Sequence, residues 1–350
     1  MKIAFVYWGY HNAGSMLDLR GYARVAGVMG HEVTFYGSPN EAFALGHSQS
    51  LAGVDALVFV FEWTTALQSG GRLDWVRLLE AVPRRRRIVI DCDGAYNDPL
   101  QYNGDYNHLS LESSRHWIAV CDSLSDKIFQ PTHKPLRPNV RSFLFHIYDP
   151  TWEAPLTFAD KEFSMIYVGH TKFRWRGMSK VLRAIERVRD RVGRVALVGE
   201  GWGVPEDWME HEEHKPRFYV DREYMKRVGA EAHPAVPYPE VAATINKGVF
   251  NPVVYRPLFE HLGLVTCRTF ETPAAGTIPL FVLERSYVAE IFGEAATDLM
   301  LDEENAHEKI LDVLERPERY ADIVMEIRED FRRKHNPEAR LRELVGFIEE

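Results

Sequence analysis

NPVVYRPLFEHLGLVTCRTFETPAAGTIPLFVL, residues Asn251 to Leu283, decides the fold, because it reads as a short helix passing through a turn into a buried strand. Thr266 suits the N-cap position, Gly276 suits a helix stop, and IPLFVL is a continuous apolar run of the kind found in parallel sheets covered on both faces. The spacing places one carboxylate, Glu271, inside that helix. Backbone N–H groups from Thr266 to Thr269 have no partner within the helix and Arg268 adds positive charge, so the helix start suits an anion the size of a phosphate.

Working outward, the same grammar recurs on both sides. Lys2 to Tyr7 is apolar and leads into WGYHNAGSMLDLRGYARVAGVMGHEVTFYG, which supplies a loop with Gly9 and Gly14, an amphipathic helix, Gly30 and a second strand. DALVFVF and RIVIDCDG read as further strands, with a helix around Trp75 to Glu80 between them, and IAVCDS and SFLFHIY read as continuing the alternation. DPTWEAPLTFAD, Asp149 to Asp160, carries two prolines and little periodicity, which marks a connection. A second series opens at FSMIYVGHTKF, followed by a helix from Gly177 to Val192 and the strand RVALVGEGW. The tail from Asn305 onward is charged and helical, and no repeat shorter than these two halves is visible. Strands alternating with helices predict an α/β architecture of two Rossmann-like domains, residues 1–155 and 156–330, with 331–350 as a closing helix. Ligands of such open sheets bind at the carboxyl ends of the strands, so the cleft between the domains is the expected site.

Composition narrows the class. With 350 residues, 27% charged and 45% hydrophobic, the chain is an ordinary globular protein large enough for two cores. A net charge of −9 argues against a general nucleic-acid or anionic-membrane binder and requires any phosphate site to be focused. Cys92, Cys121 and Cys267 have no metal-ligand spacing, are odd in number, and fit a reducing cytoplasm. The opening strand is too short for a signal peptide, and no stretch approaches the roughly 20 apolar residues of a membrane span, so a cytoplasmic location is expected.

Arg268-Thr269-Phe270-Glu271, followed by Ala274, Ala275, Gly276 and an apolar strand and preceded by Lys247-Gly248-Val249-Phe250-Asn251, resembles the C-terminal domain of nucleotide-sugar glycosyltransferases of the GT-B fold, of the CgeB-like and group 1 type. The resemblance implies two Rossmann-like domains facing across a cleft and transfer of a sugar from a nucleoside diphosphate sugar, such as a UDP-sugar, to a hydroxyl acceptor. It also implies retention of configuration, no required metal or other cofactor, and a last helix that returns to the first domain. In retaining members two Glu residues separated by seven positions frame the donor, the second holding the ribose hydroxyls. Glu271 matches that second Glu, while the first position falls on Gly263. Around the helix start, Thr266, Arg268 and Thr269 would serve the donor phosphates, and Asn251, at a strand end, is a further candidate for polar contact with the donor.

After FSMIYVG, the loop His170-Thr171-Lys172-Phe173-Arg174-Trp175-Arg176 packs three cations before a helix. The resemblance assigns the diphosphate to Gly169, Lys172, Arg174 and Arg176, the arginines as forks and the lysine as a point charge. His11 lies in the loop after the first strand, where inverting members place a catalytic base and retaining ones contact acceptor or phosphate. Asp91, Asp93, Asp98 and Asp105 cluster in IDCDGAYNDPLQYNGDYNHLS; Asp91 or Asp93 would orient the acceptor hydroxyl, with turn formation as the alternative and an Asp-x-Asp metal site disfavoured by the resemblance. Three other functions compete: an epimerase of the same fold, a non-catalytic sugar-nucleotide binder, and a Rossmann dehydrogenase. GYHNAGS lacks the Gly-x-Gly-x-x-Gly fingerprint, which disfavours the last.

Overall fold

The structure is a computed structural model and describes residues 1–8, 14–38, 45–62 and 73–350. Among them, Lys2–Trp8 (β1), Glu32–Ser38 (β2), Ala56–Phe61 (β3) and Arg87–Asp91 (β4) come first, then a small antiparallel hairpin of Gln101–Tyr102 (β5) and Asp105–Tyr106 (β6), then Ile128–Gln130 (β7) and Val140–Ser142 (β8). All but the hairpin form one parallel sheet in the order β2-β1-β3-β4-β7-β8. Phe163–Val168 (β9), Val195–Val198 (β10), Ala230–His233 (β11), Gly248–Val253 (β12) and Ile278–Phe281 (β13) form a second parallel sheet, ordered β11-β10-β9-β12-β13.

Burial explains the strands. All six residues of β3, ALVFVF, are buried, as expected where helices cover both faces of a parallel sheet. Phe61 lies opposite Asp91 in the β3–β4 register, so the residues just beyond them, Glu62 and Cys92-Asp93, emerge side by side at the carboxyl edge. In the second sheet, Phe250 of β12 lies opposite Ile278 and also pairs with Met165 of β9, which brings the ends of β9 and β12 together.

Three readings needed correction. IAVCDS is not a strand but the second half of the helix Leu111–Leu124, which starts on a Ser110 cap. Its buried residues Ser114, Trp117, Cys121 and Leu124 follow the 3.6-residue period, and the strand that follows is the shorter β7. In SFLFHIY only Ser142 belongs to a strand; Phe143 to Tyr148 is a buried irregular crossing between the lobes. It is held by the Tyr22 hydroxyl donating to the Phe145 carbonyl (2.6 Å), by Ile147 N donating to Asp18 Oδ1 (2.9 Å) and by Tyr148 N donating to the His335 carbonyl (2.8 Å). The helix expected to reach Val192 spans Trp175–Glu186, and the next stretch is a turn at Arg189–Arg191.

The tail opens with the helix Ala306–Glu315 and ends in two more, Pro317–Lys334 and Pro337–Glu349. Asn336 between them accepts a hydrogen bond from Ala339 N (2.8 Å), and Pro337 occupies the first helical position, where its missing N–H costs nothing. The final helix returns to the first lobe, where Leu341, Leu344 and Ile348 join the core around Met16, Leu19 and Tyr22. All three cysteines are free.

Candidate active site

Beyond β9 the chain turns through Gly169 to Arg174 against the neighbouring loop. Gly169 N donates to the Val198 carbonyl (2.8 Å) and Thr171 N to the Glu200 carbonyl (3.1 Å). A Cβ at Gly199 would stand 2.3 Å from the Gly169 carbonyl oxygen, so this approach tolerates no side chain. Phe173 is held in the left-handed region (φ 58°), its N–H donating to the Arg217 carbonyl (2.6 Å). Such a conformation costs a bulky residue about 1–3 kcal/mol and marks a loop shaped by its surroundings.

The cations of this loop converge with others. His170 is exposed at the cleft yet crowded by its neighbours, and this desolvation, then the charges of Arg174, Lys172, Arg256 and Arg268, hold its imidazole well below the ordinary range. Lys172 is pushed down to about 8, by burial first and Arg256 second. Arg174 donates to the Lys172 carbonyl (2.9 Å) and, among the described residues, forms no ion pair with a carboxylate. Arg176 stands apart: it is exposed and lies within electrostatic reach of Glu260 and Glu303, outside the cluster to which the sequence reading assigned it.

The decisive helix is Cys267–Ala274, with Thr266 as its N-cap. Thr266 N donates to Thr269 Oγ1 (3.2 Å), and Thr269 is itself buried against the Tyr255 hydroxyl (2.5 Å), so both threonines cap and seat the helix. Glu271 is 3% exposed. Its Oε1 accepts from the Tyr238 hydroxyl, while Oε2 lies 3.5 Å from Arg268 Nη1 and accepts no hydrogen bond among the described residues. Burial opposes the charge of Arg268, but Glu271 together with Tyr238, Cys267 and Tyr167 outweighs it, so the guanidinium is firmly protonated. Asn251 is not a cleft residue: it is buried and its Nδ2 donates to the Ile166 carbonyl (2.8 Å), tying β12 to β9.

On the opposite lobe Glu62 follows β3. Its Oε2 accepts from the Ser15 hydroxyl (2.7 Å) and the Tyr7 hydroxyl (3.0 Å), and Oε1 from Ser15 N (3.3 Å). Burial first, and then the charge of Asp93, push its carboxyl up to about 7. Asp91 is corrected to a framework role: fully buried, it accepts from Tyr96 N (2.7 Å), Gln130 Nε2 (2.8 Å) and Ala95 N (3.0 Å), which pins the following turn. Asp93 instead lines a pocket between the lobes with Lys172, Phe173, Arg217 and Arg256. Asp98 is exposed and pairs with Arg137 (3.2 Å). Asp105 is buried and pairs with Arg256 (2.7 Å) across the lobes. His11 lies outside the described residues.

Two further contacts fix the first lobe, the second of them against the other lobe. His146, buried, meets Asp18 at 2.6 Å; burial works against its charge, but Asp18, with Glu62 and Glu271, outweighs burial and raises its pKa. Gly14 packs on the helix start of the other lobe so closely that a Cβ there would lie 2.2 Å from Cys267 Sγ. Among the described residues no group of three or more His, Cys, Asp or Glu is placed to hold a metal, and no helix is long and apolar enough to cross a membrane.

Sequence reasoning missed Glu62, Tyr238, Arg217 and Arg256. Glu62 had a readable signal, an acid directly after the buried run DALVFVF, and Arg256 likewise follows β12 closely. Tyr238 opens the short turn Tyr238–Glu240 and Arg217 sits in a loop, and neither stretch carries a periodicity to place them.

Residues 176–346 match a protein family described as glycosyl transferase-like. No curated protein matches the sequence. Among solved structures the chain is similar to an α-glucosyltransferase in complex with UDP-glucose and DNA containing an abasic site, at 14% identity and TM-score 0.68, over 100% of this chain and 99% of that one. It is also similar to T4 phage BGT in complex with UDP and Mn2+, at 13% identity and TM-score 0.56 over 100% of both chains. A glycosyltransferase from Rickettsia africae ESF-5 aligns at 8% identity and TM-score 0.59, over 99% of this chain and 97% of that one. At these identities the likeness is one of fold, and the fold is the two-lobed GT-B arrangement that the sequence predicts.

Proposed function

A chain with a glycosyl transferase-like domain at residues 176–346 needs a donor site and an acceptor site, and we propose that its two lobes supply one each. The carboxy-terminal lobe binds a nucleoside diphosphate sugar, read as a UDP-sugar because structures of the same fold were solved with UDP or UDP-glucose. Lys172, Arg174 and Arg268, with the N–H groups at the start of Cys267–Ala274, take the diphosphate; Glu271 takes the ribose hydroxyls. In the transfer the bond from the anomeric carbon to the diphosphate oxygen breaks, the acceptor oxygen bonds to that carbon, and the acceptor's proton leaves to a carboxylate or to the departing phosphate. Cations already in place stabilise the charge that develops on the diphosphate, which is electrostatic catalysis without a required metal.

The observation that carries this reading is the pair Glu271 and Arg174 in one lobe: a buried carboxylate with one oxygen lacking a hydrogen bond and a half-buried arginine without a carboxylate partner, both among the described residues. Buried polar groups of this kind are costly unless a ligand completes them. A thermal-shift panel of UDP-, GDP-, ADP- and dTDP-sugars tests it: one base should raise the melting temperature, and a panel without effect would contradict the donor site.

Retention of configuration is the course the resemblance implies, with Asp93 orienting the acceptor hydroxyl. The raised proton affinity of Glu62 beside Asp93 favours a second course, inversion with this carboxylate pair as general base. The anomeric configuration of the product, read by proton NMR, separates the two.

A further inference from the structure

Between the lobes, the pocket that holds Asp93 is walled by the β5–β6 hairpin on one side and by Phe173 and Arg217 on the other. The hairpin is fastened there: Asp105 accepts from Arg256 Nη2 (2.7 Å) and Nε (3.1 Å) and from Leu258 N (3.3 Å), and Tyr102 stacks on His261 at 4.5 Å and 12°. Asp105 is therefore fully committed. The Arg217 guanidinium lies over the Tyr106 ring at 4.7 Å, spans the two lobes, and among the described residues has no ion pair. Burial and the neighbouring Arg256 both disfavour its charge, and Asp105 partly offsets them. His108, also lining the pocket, has a buried Nε2 with no hydrogen-bond partner among the described residues. An arginine laid flat on an aromatic ring keeps its N–H fork free for a bidentate anion, the geometry that phosphate oxygens match.

We propose that this pocket is the acceptor subsite and that it recognises an acceptor carrying a phosphate monoester near its reacting hydroxyl, with Arg217 gripping the phosphate and Asp93 facing the hydroxyl. The inference rests on the glycosyltransferase reading and adds the acceptor's chemical class. A compact monoester is favoured over a polynucleotide because the fastened hairpin encloses the pocket on one side and the chain's net charge of −9 repels a polyanion. Lys172, Arg174 and Arg268 are taken up by the donor diphosphate, so an acceptor phosphate beside it needs a cation of its own, and Arg217 supplies it.

The test is calorimetric titration of glycerol 3-phosphate into the full chain saturated with UDP, with glycerol and a duplex oligonucleotide as the other arms. Glycerol 3-phosphate should bind and glycerol should not. Arg217→Gln should weaken glycerol 3-phosphate roughly tenfold or more, the usual worth of a charge-assisted pair, while leaving UDP affinity within about twofold. If UDP fails to bind, the donor reading falls. If UDP binds but glycerol 3-phosphate does not, or binds no better than glycerol, the subsite falls alone. Binding of the duplex in its place, or a loss of UDP affinity in Arg217→Gln matching the loss of glycerol 3-phosphate, would also overturn it.

Discussion

Replacing Glu62 by Gln should change how stability depends on pH, by an amount that follows from its surroundings. Burial, reinforced by Asp93, lifts the Glu62 carboxyl to about 7. The folded state therefore binds this proton more tightly than the unfolded chain does. Its stabilising contribution is fully present below the ordinary glutamate range, about pH 4, and is lost as pH rises through about 7. Between pH 5.5 and 8 the span crossed is about one and a half pKa units, which corresponds to ~2 kcal/mol at 1.36 kcal/mol per unit. Gln mimics the protonated form in shape and charge, so the variant lacks this loss. Absolute stability also shifts, because the amide cannot accept all the hydrogen bonds from Ser15 and Tyr7, but that offset is common to both pH values and cancels. Urea denaturation followed by tryptophan fluorescence at the two pH values, for wild type and Glu62→Gln, isolates the difference. The variant should gain ~2 kcal/mol relative to wild type on going from pH 5.5 to 8. Parallel pH slopes in the two proteins would refute the claim that Glu62 is a half-buried carboxylate held at raised proton affinity.

Gly14→Ala places a methyl 2.2 Å from Cys267 Sγ, so the lobes should sit further apart, with a larger radius of gyration by X-ray scattering and slower transfer at unchanged secondary structure. An unchanged radius with unchanged rate would contradict the close packing. Arg256→Gln leaves Asp105, which is wholly buried, without its cation and should cost about 3–5 kcal/mol of unfolding free energy; a loss under about 1 kcal/mol would mean the pair is not sequestered. Transfer should survive chelation by EDTA, because the diphosphate is met by cationic side chains; activity lost to EDTA and restored by Mn2+ would show that a metal carries that charge.

Legibility in the sequence followed physical range. The buried runs of β3 and β13 and the Thr266 to Gly276 helix are local patterns, set by periodicity and capping, and the two-sheet architecture follows from them. Charged IAVCDS misled because its apolar residues are too few to separate a strand from one face of a helix, and only the Trp117 to Leu124 spacing distinguishes them. Within the site, Glu271 and Arg268 were visible because one short helix carries both. Asp91 and Asn251 were misread because a strand-end polar residue can turn inward to satisfy backbone groups as easily as outward to a ligand. Arg217 and Tyr238 reach the site through loops, and their partners lie 29 or more residues away in sequence, where no local pattern reports them.

The most direct measurement of the central claim is calorimetric titration of UDP-glucose into the wild-type chain and into Glu271→Gln. A carboxylate that holds ribose hydroxyls contributes about 1.5–3 kcal/mol per charged hydrogen bond, so affinity should fall roughly tenfold to a hundredfold in a variant that remains folded. Equal affinity in the two proteins, or no heat with either, would contradict a donor site built on the helix Cys267–Ala274.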